Sequence, residues 1–498
     1  MKLVAGVDSS TQSCKVLIVD AATGDVVREG RAAHPDATEV DPNAWWLAFC
    51  EAVEQARGLA DVEAISIGGQ QHGLVALDAA GKVVRNALLW NDTRSAGAAA
   101  NLVEEVGAAE YASRTGLVPV ASFTATKLRW MRDNEPELAA SIAAVCLPHD
   151  WLTWRMRGYG SEEESPMGPK LEQLVTDRSD ASGTAYWSVF SERYDLDLFD
   201  RALGRIGVEA DPRRGGSIDH SGDSSVILPR VMKPQESTLV DAVAPGLMGI
   251  RVGLVVGPGA GDNAGVMLGL GADSGDVVMS IGTSGTVFAV SPEPVADVTG
   301  AVAGFADATG SFLPLVATLN AARVLDVAAR MLGVDHDALA DLALAAEPGS
   351  GGLTLLPYFE GERTPNLPDA TATIIGMKLS NTTPENLARA AVEGMICGLA
   401  DGLGAITRLG LSPTRLLLVG GGARSRAVPE IASEVLGLPV FVPEFGEYVA
   451  KGAARQAAWA LTGELPDWPL ALSSKIDKTP QPHILEAYHE ALERQVWT

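Results

Sequence analysis

The chain is poor in cysteine and poor in positive charge. Its four cysteines, Cys14, Cys50, Cys146 and Cys397, are scattered through 498 residues. No C-x-x-C pair occurs, which argues against a zinc site or a redox dithiol. So few cysteines in so long a chain suit a reducing, cytoplasmic setting. Lysine and arginine number 38 against 63 acidic residues, for a formal net charge of −25. That field repels polyanions, so neither nucleic acid nor an anionic membrane is an expected partner. The N-terminus lacks the basic start and apolar run of a signal peptide. The most apolar stretch, Ile250 to Ala272, is broken by Pro258, Asp262, Asn263 and several glycines, and makes a poor membrane span. What remains is an ordinary globular composition, 47% hydrophobic, long enough for two or more domains.

Two distant stretches share one device. Val4-Ala5-Gly6-Val7-Asp8-Ser9-Ser10-Thr11 reads as a strand entering a tight polar turn, with Lys15–Val19 returning. Val277-Val278-Met279-Ser280-Ile281-Gly282-Thr283-Ser284-Gly285-Thr286 repeats it, with Val287–Val290 returning. A turn of small residues between two strands points N–H groups and hydroxyls into one space, a cradle for anionic oxygen and above all phosphate. One cradle in each half predicts two related lobes closing on one nucleotide.

The remaining organisation follows from periodicity and punctuation. Asp41-Pro42 is an N-cap followed by proline, and Trp45, Trp46, Phe49 and Val53 recur at helical spacing to about Gly58. Ala64–Ile67 is a strand ending in Gly68-Gly69-Gln70-Gln71-His72-Gly73. Helical patterns fill Ser95 to Leu138. Gly158–Lys170, with three consecutive glutamates, reads as an exposed loop. Pro, Gly, Ser and Asp enrich Asp211 to Gly246, and Arg251–Val256 reads as the opening strand of the second lobe. The expected domains are 1–245, 246–475 and a helical tail, 476–498. Glu385 to Leu409 is a long helix, Arg415–Val419 a strand, and Gly420-Gly421-Gly422 a turn before the helix Ser425–Leu436.

Asp262 lies within Gly257-Pro258-Gly259-Ala260-Gly261-Asp262-Asn263. Glycine turns let backbones approach closely and present a carboxylate at a strand end. Phosphoryl transfer to an alcohol needs such a group to take the hydroxyl proton, and a carboxylate of ordinary pKa suffices. The plainer reading is an Asx turn or helix N-cap. Gly259-x-Gly261-x-x-Ala264 also matches a dinucleotide fingerprint, with Asp276 at the ribose position, so an NAD-dependent oxidoreductase is a rival. Gln71 and His72 offer donors and acceptors suited to sugar hydroxyls. Asp8, near Thr11 and Lys15, suits a magnesium ion held through water.

Taken in order, these runs, together with Leu89-Trp90-Asn91-Asp92, Thr176–Thr184 and Gly361-Glu362-Arg363-Thr364-Pro365, resemble the FGGY family of carbohydrate kinases. The resemblance implies an α/β fold of two ribonuclease-H-like, actin-like ATPase domains flanking a central cleft. It implies ATP-dependent phosphorylation of D-xylulose at its 5-hydroxyl, with ATP and Mg2+ as cofactors and a homodimer as a plausible assembly. By this likeness Asp262 is the general base, and Gln71, His72, Asp262 and Asn263 contact the sugar. Thr11, Gln12, Lys15, Gly282 and Thr283 surround phosphate, Asp8 the metal, and Gly421, Gly422 and Ser425 the adenosine. Asn320 is expected on the nucleotide side. Another ketose or polyol (ribulose, gluconate or a glycerol-like acceptor) is an alternative substrate, and an actin-like ATPase switch is an alternative from another class. Ser10 replaces the usual glycine of the first cradle. Gln71 stands where methionine is common. Gly158–Lys170 is longer than the family's usual turn.

Overall fold

The computed structural model describes residues 1–212 and 225–495. Part of the Asp211–Gly246 stretch therefore lies outside the described residues, as do the last three residues of the expected tail. The first sheet contains β1 (Leu3–Ser9), β2 (Ser13–Asp20), β3 (Val26–Ala33), β4 (Val62–Gly69), Thr238–Leu239, Val255–Val256 and Ala260–Gly261. β1 runs antiparallel to β2 and parallel to β4. Its side chains alternate between two covered faces, so it is buried throughout. Leu3, Ala5 and Val7 join a core with Trp45 and Phe49 of α1 (Pro42–Gln55), while Val4 faces Ala450, Ala454 and Ala457. Asp41 caps α1 as expected, its carboxylate accepting the N–H of Asn43 at 2.9 Å.

The first lobe also holds α2 (Pro148–Met156) and the short α3 (Arg178–Ser182), and ends in α4 (Asp262–Leu270). The second sheet is built on β5 (Asp276–Ile281), antiparallel to β6 (Gly285–Ala289) and parallel to β7 (Arg415–Val419). That repeats the relation of β1 to β2 and β4, the ribonuclease-H-like arrangement. Val277, Met279 and Ile281 face α5 (Pro384–Arg408), which contributes Met395, Ile396 and Leu399 to the same core. α5 is long and apolar enough to cross a bilayer, but 78% of that window is buried inside the protein. α6 (Ala427–Leu436) and α7 (Tyr448–Thr462) follow.

α4 and α7 cross between the sheets at backbone contact. A Cβ on Gly452 would lie 2.0 Å from the carbonyl oxygen of Gly265, and one on Gly269 would lie 2.1 Å from that of Tyr448. On the first sheet, a Cβ on Gly6 would lie 1.9 Å from the carbonyl oxygen of Ala450. Only glycine permits such approaches. The second lobe is thereby keyed directly into the first.

Several expectations need correction. Val255–Val256 and Ala260–Gly261 lie parallel to β4 in the first sheet and do not open the second lobe. The second sheet begins at Asp276, and we propose the domain boundary between Leu270 and that strand. The C-terminal helix Pro482–Arg494 packs onto the second lobe, with Tyr488 buried and its hydroxyl 2.7 Å from that of Tyr358. The 158–170 loop is only partly exposed. Gly158–Ser161 are buried, and Glu164 accepts hydrogen bonds from Arg155 and Ser161, each at 2.9 Å. The dinucleotide reading fails on geometry. The ring of His149 would lie 2.2 Å from a Cβ on Gly259, the Gln71 side chain 2.5 Å from one on Gly261, and Asp276 is bound bidentately by Arg415 at 2.6 and 2.7 Å.

Candidate active site

Two cavities meet in the cleft between the lobes. The larger, about 950 Å³, is lined by Asp8, Ser10 and Lys15 from the first lobe and by Gly420, Ala423, Arg424, Ser425 and Phe445 from the second. The smaller, about 570 Å³, is lined by Gln71, His72, Phe123, Gly282, Thr283, Phe305 and Arg363 among others. Asp262, Asn263 and Ser280 line both. Asp262 therefore stands where the two compartments join.

Its position follows from local structure. Gly261 ends a strand in extended conformation, and Asp262 opens α4. Oδ1 of Asp262 accepts the backbone N–H of Asn263 at 2.7 Å and its side-chain amide at 2.8 Å. Oδ2 is left for other partners. Burial, reinforced by the negative charge of Asp8, pushes the Asp262 carboxyl up to about 7, above the ordinary acidity expected of it. Burial also raises Asp8, against the opposing pull of Lys15 and Ser10. Ser10 donates to Asp8 Oδ1 at 2.5 Å, and Lys15 bridges Asp8 Oδ2 at 3.2 Å and Glu447 at 2.7 Å.

The sugar-side candidates converge. Asn263 donates to Gln71 Oε1 at 3.2 Å, and Gln71 donates to the carbonyl of Ser179 at 3.4 Å. His72 has a left-handed backbone, φ 71°, that turns its ring between Phe123 and Phe305 at centroid distances of 5.0 and 5.5 Å. Its Nδ1 lies 3.0 Å from the carbonyl of Gly183, so Nδ1 carries the proton and Nε2 is an acceptor. Burial, with the charges of Lys127 and Arg363, lowers His72 to about 3 and keeps it neutral.

Other candidates fall elsewhere. Thr11 accepts a hydrogen bond from the Trp90 indole at 2.9 Å, Gln12 is exposed, and neither lines either of these two cavities. Gly282 and Thr283 line the smaller cavity, not the larger. Gly421 is exposed, and Gly422 is turned onto Ile281, whose side chain would lie 2.3 Å from an added Cβ. Of that turn, Ser425 lines the larger cavity, together with Gly420, Ala423 and Arg424. Asn320 is buried away from both cavities, donating to Gly361 at 2.7 Å and Glu362 at 2.9 Å. Sequence reasoning missed Ser280, Arg424, Phe445 and Arg363 as lining residues. Ser280 in the second cradle, Arg424 in the Gly420–Ser425 run and Arg363 in the Gly361–Pro365 run each carried a signal, and Phe445 carried none.

Comparison with known proteins gives one answer along the chain. Residues 3–269 match the N-terminal domain, and residues 277–461 the C-terminal domain, of the FGGY family of carbohydrate kinases. The xylulose kinase of Streptomyces rubiginosus is 45% identical over 473 residues, covering 93% of this chain and 89% of that protein. That of Streptomyces coelicolor is 45% identical over 469 residues with the same coverage. The crystal structure of xylulose kinase from Bifidobacterium adolescentis superposes with a TM-score of 0.89 at 49% identity, over 99% of each chain.

Proposed function

We propose that this chain, which belongs to the FGGY family of carbohydrate kinases, is a xylulose kinase that moves the terminal phosphoryl group of ATP to the 5-hydroxyl of D-xylulose. Relatives similar to it over nearly their whole length are named xylulose kinases. One observation carries the mechanism: Asp262 belongs to the walls of both cavities. The larger cavity suits a nucleotide, and the smaller, with neutral His72 and the Gln71 and Asn263 amides, suits a polyhydroxylated ketose.

As the sugar oxygen bonds to the γ-phosphorus, its proton passes to Oδ2 of Asp262, and the bond from phosphorus to the bridging oxygen breaks, leaving ADP. Asn263 occupies Oδ1 and so fixes which oxygen receives the proton. A base that titrates near neutrality is matched to this task.

The residues also fit a divalent cation. Burial raises both Asp8 and Asp262, and the charge of Asp8 raises Asp262 further, which a cation would relieve. Asp8 would hold Mg2+, which would offset charge on the transferring phosphates. We place the enzyme in the cytoplasm, a reading supported by its four free cysteines.

An ADP-release assay across ketopentoses, hexuloses and polyols tests the assignment. The highest kcat/KM is expected with D-xylulose, and turnover is expected to vanish when Mg2+ is chelated and to return on its readdition. ADP release indifferent to sugar would refute the kinase reading, and a clear preference for another acceptor would refute the substrate.

A further inference from the structure

Behind the floor of the smaller cavity lies a charged cluster that lines neither compartment. His149 of α2 is completely buried, and its ring is surrounded by carboxylates. Nδ1 is 2.8 Å from Asp180 Oδ2 and 3.2 Å from Asp150 Oδ1, and Nε2 is 3.7 Å from Asp177 Oδ1. A neutral imidazole has one N–H and one lone pair. Here both nitrogens face carboxylate oxygen, so a neutral ring would aim its lone pair at an anion in a poorly screened interior. Three buried carboxylates without a cation would also pay heavily in desolvation.

The cluster is wired to the residues assigned to the sugar and the proton. Asp177 caps α3, accepting from the N–H and hydroxyl of Ser179 at 2.7 and 2.5 Å and from the N–H of Asp180 at 3.0 Å. The Ser179 hydroxyl accepts the N–H of Gly261, the residue before Asp262, at 3.0 Å. The Ser179 carbonyl receives Gln71. The His149 ring sits against Gly259, and its Cβ would lie 3.2 Å from one added to Gly69. His149 thus packs against both strand ends that deliver Gln71 and Asp262, by its ring at Gly259 and by its Cβ at Gly69.

We propose that His149 is a doubly protonated imidazolium that acts as a positioning residue for Asp262 and Gln71, by neutralising the carboxylate cluster of Asp150, Asp180 and Asp177, the last of which holds Ser179 in place. The electrostatics agree. Burial alone would favour the neutral ring, but Asp150, Asp180 and Asp177 outweigh it and push His149 up to about 10. The three carboxyls are themselves raised by burial and restrained by His149. These are the titratable groups that face the ring: Asp150 from α2, Asp177 from the strand Val175–Asp177 and Asp180 from α3. The rival occupant is a metal ion, since ligand atoms of His149, Asp150 and Asp180 lie within 4.8 Å of one another.

The catalytic half of this inference rests on the role given to Asp262, whereas the protonation state does not. The test has two arms. In the wild-type protein, nitrogen NMR of labelled histidine at pH 8 is expected to show one buried ring with protons on both nitrogens, and metal analysis is expected to find no stoichiometric ion. A neutral ring, or a bound metal ion lost on chelation, overturns the proposal whether or not any variant folds. In the second arm, His149→Lys keeps a cation and is expected to retain kcat within about fivefold, while His149→Gln is expected to lose about 100-fold in kcat with KM for ATP unchanged. A glutamine variant with wild-type kcat overturns the positioning role. Full activity in an Asp262→Asn protein would instead strike at the assignment of the base and leave the NMR result standing.

Discussion

Asn263 Nδ2 donates to Gln71 Oε1 at 3.2 Å, tying the first turn of α4 to the turn after β4. The pair joins the residue beside the proposed base to the residue expected to sort sugars. Because the other end of the Gln71 amide donates to Ser179, its orientation is set from both sides. The Gln71 side chain also fills the space over Gly261, where an added Cβ would meet it at 2.5 Å. The amide is therefore part of the packing of the site as well as its polarity.

Replacing Gln71 by methionine keeps most of the volume and removes both hydrogen bonds. Asn263 then loses its acceptor and gains freedom to meet a sugar hydroxyl differently. Relative kcat/KM values across a ketopentose panel are expected to shift by about tenfold, corresponding to one lost polar contact, with KM for ATP within about twofold. Unchanged ratios across the panel would remove Gln71 from sugar selection.

The pH dependence follows from Asp262. Its folded-state pKa, about 7, lies above the ordinary value of 3.8, so the folded protein holds the proton more tightly than the unfolded chain does. The base works when ionised, so kcat/KM for the sugar is expected to rise with pH to a midpoint near 7. Stability has the opposite sign. It is greatest while Asp262 is protonated and declines as the pH rises between those two values. Asp262→Asn is expected to cut kcat by about 1,000-fold. At pH 8 it should melt on the order of 2 °C above the wild type, a gain that shrinks as the pH falls and closes only below the ordinary value of 3.8. Near-normal turnover in this variant would end the assignment of Asp262 as base.

What could be read from the sequence was what is local. Each cradle is a strand, a turn of small residues and a returning strand, and β1–β2 and β5–β6 appear where alternation placed them. Asp262 was legible because its glycine frame is contiguous. What the sequence left unread depends on distant partners. Thr11 faces Trp90, 79 residues away, and Gly422 faces Ile281 on the neighbouring strand. Val255–Val256 chose the first sheet because its open partner edge is β4, a choice invisible in its own residues. The His149 cluster draws on two separate segments: Asp177 and Asp180 belong to one helix start, but nothing local joins them to His149.

Phe445 is 78% exposed, unusual for an aromatic residue, and lines the larger cavity. The guanidinium of Arg424 lies 4.2 Å from its ring centre. A cation–π pair at the rim of a nucleotide compartment presents a flat, polarised surface on which a base can stack. Phe445→Ala is expected to raise KM for ATP about fivefold while leaving kcat and KM for the sugar within about twofold. An equal effect on sugar KM would place the ring elsewhere in the reaction.

The last prediction concerns the crossing of α4 and α7. Gly452 lies on α7 with the Gly265 carbonyl where a Cβ would go, at 2.0 Å. An alanine there cannot be accommodated by a side-chain rotation, because the obstructing atom is backbone. The helices must separate, and α4 carries Asp262 at its first position. Gly452→Ala is therefore expected to cost about 3 kcal/mol of stability, the upper end of ordinary overpacking. In the protein that still folds, kcat is expected to fall more than either KM, since displacement of α4 moves the base relative to both cavities. Gly404→Ala on α5, where an added Cβ would lie no closer than 3.5 Å to the tip of Arg408, is the control and should be close to neutral. If Gly452→Ala and the control melt and turn over alike, backbone contact between α4 and α7 does not set the position of Asp262.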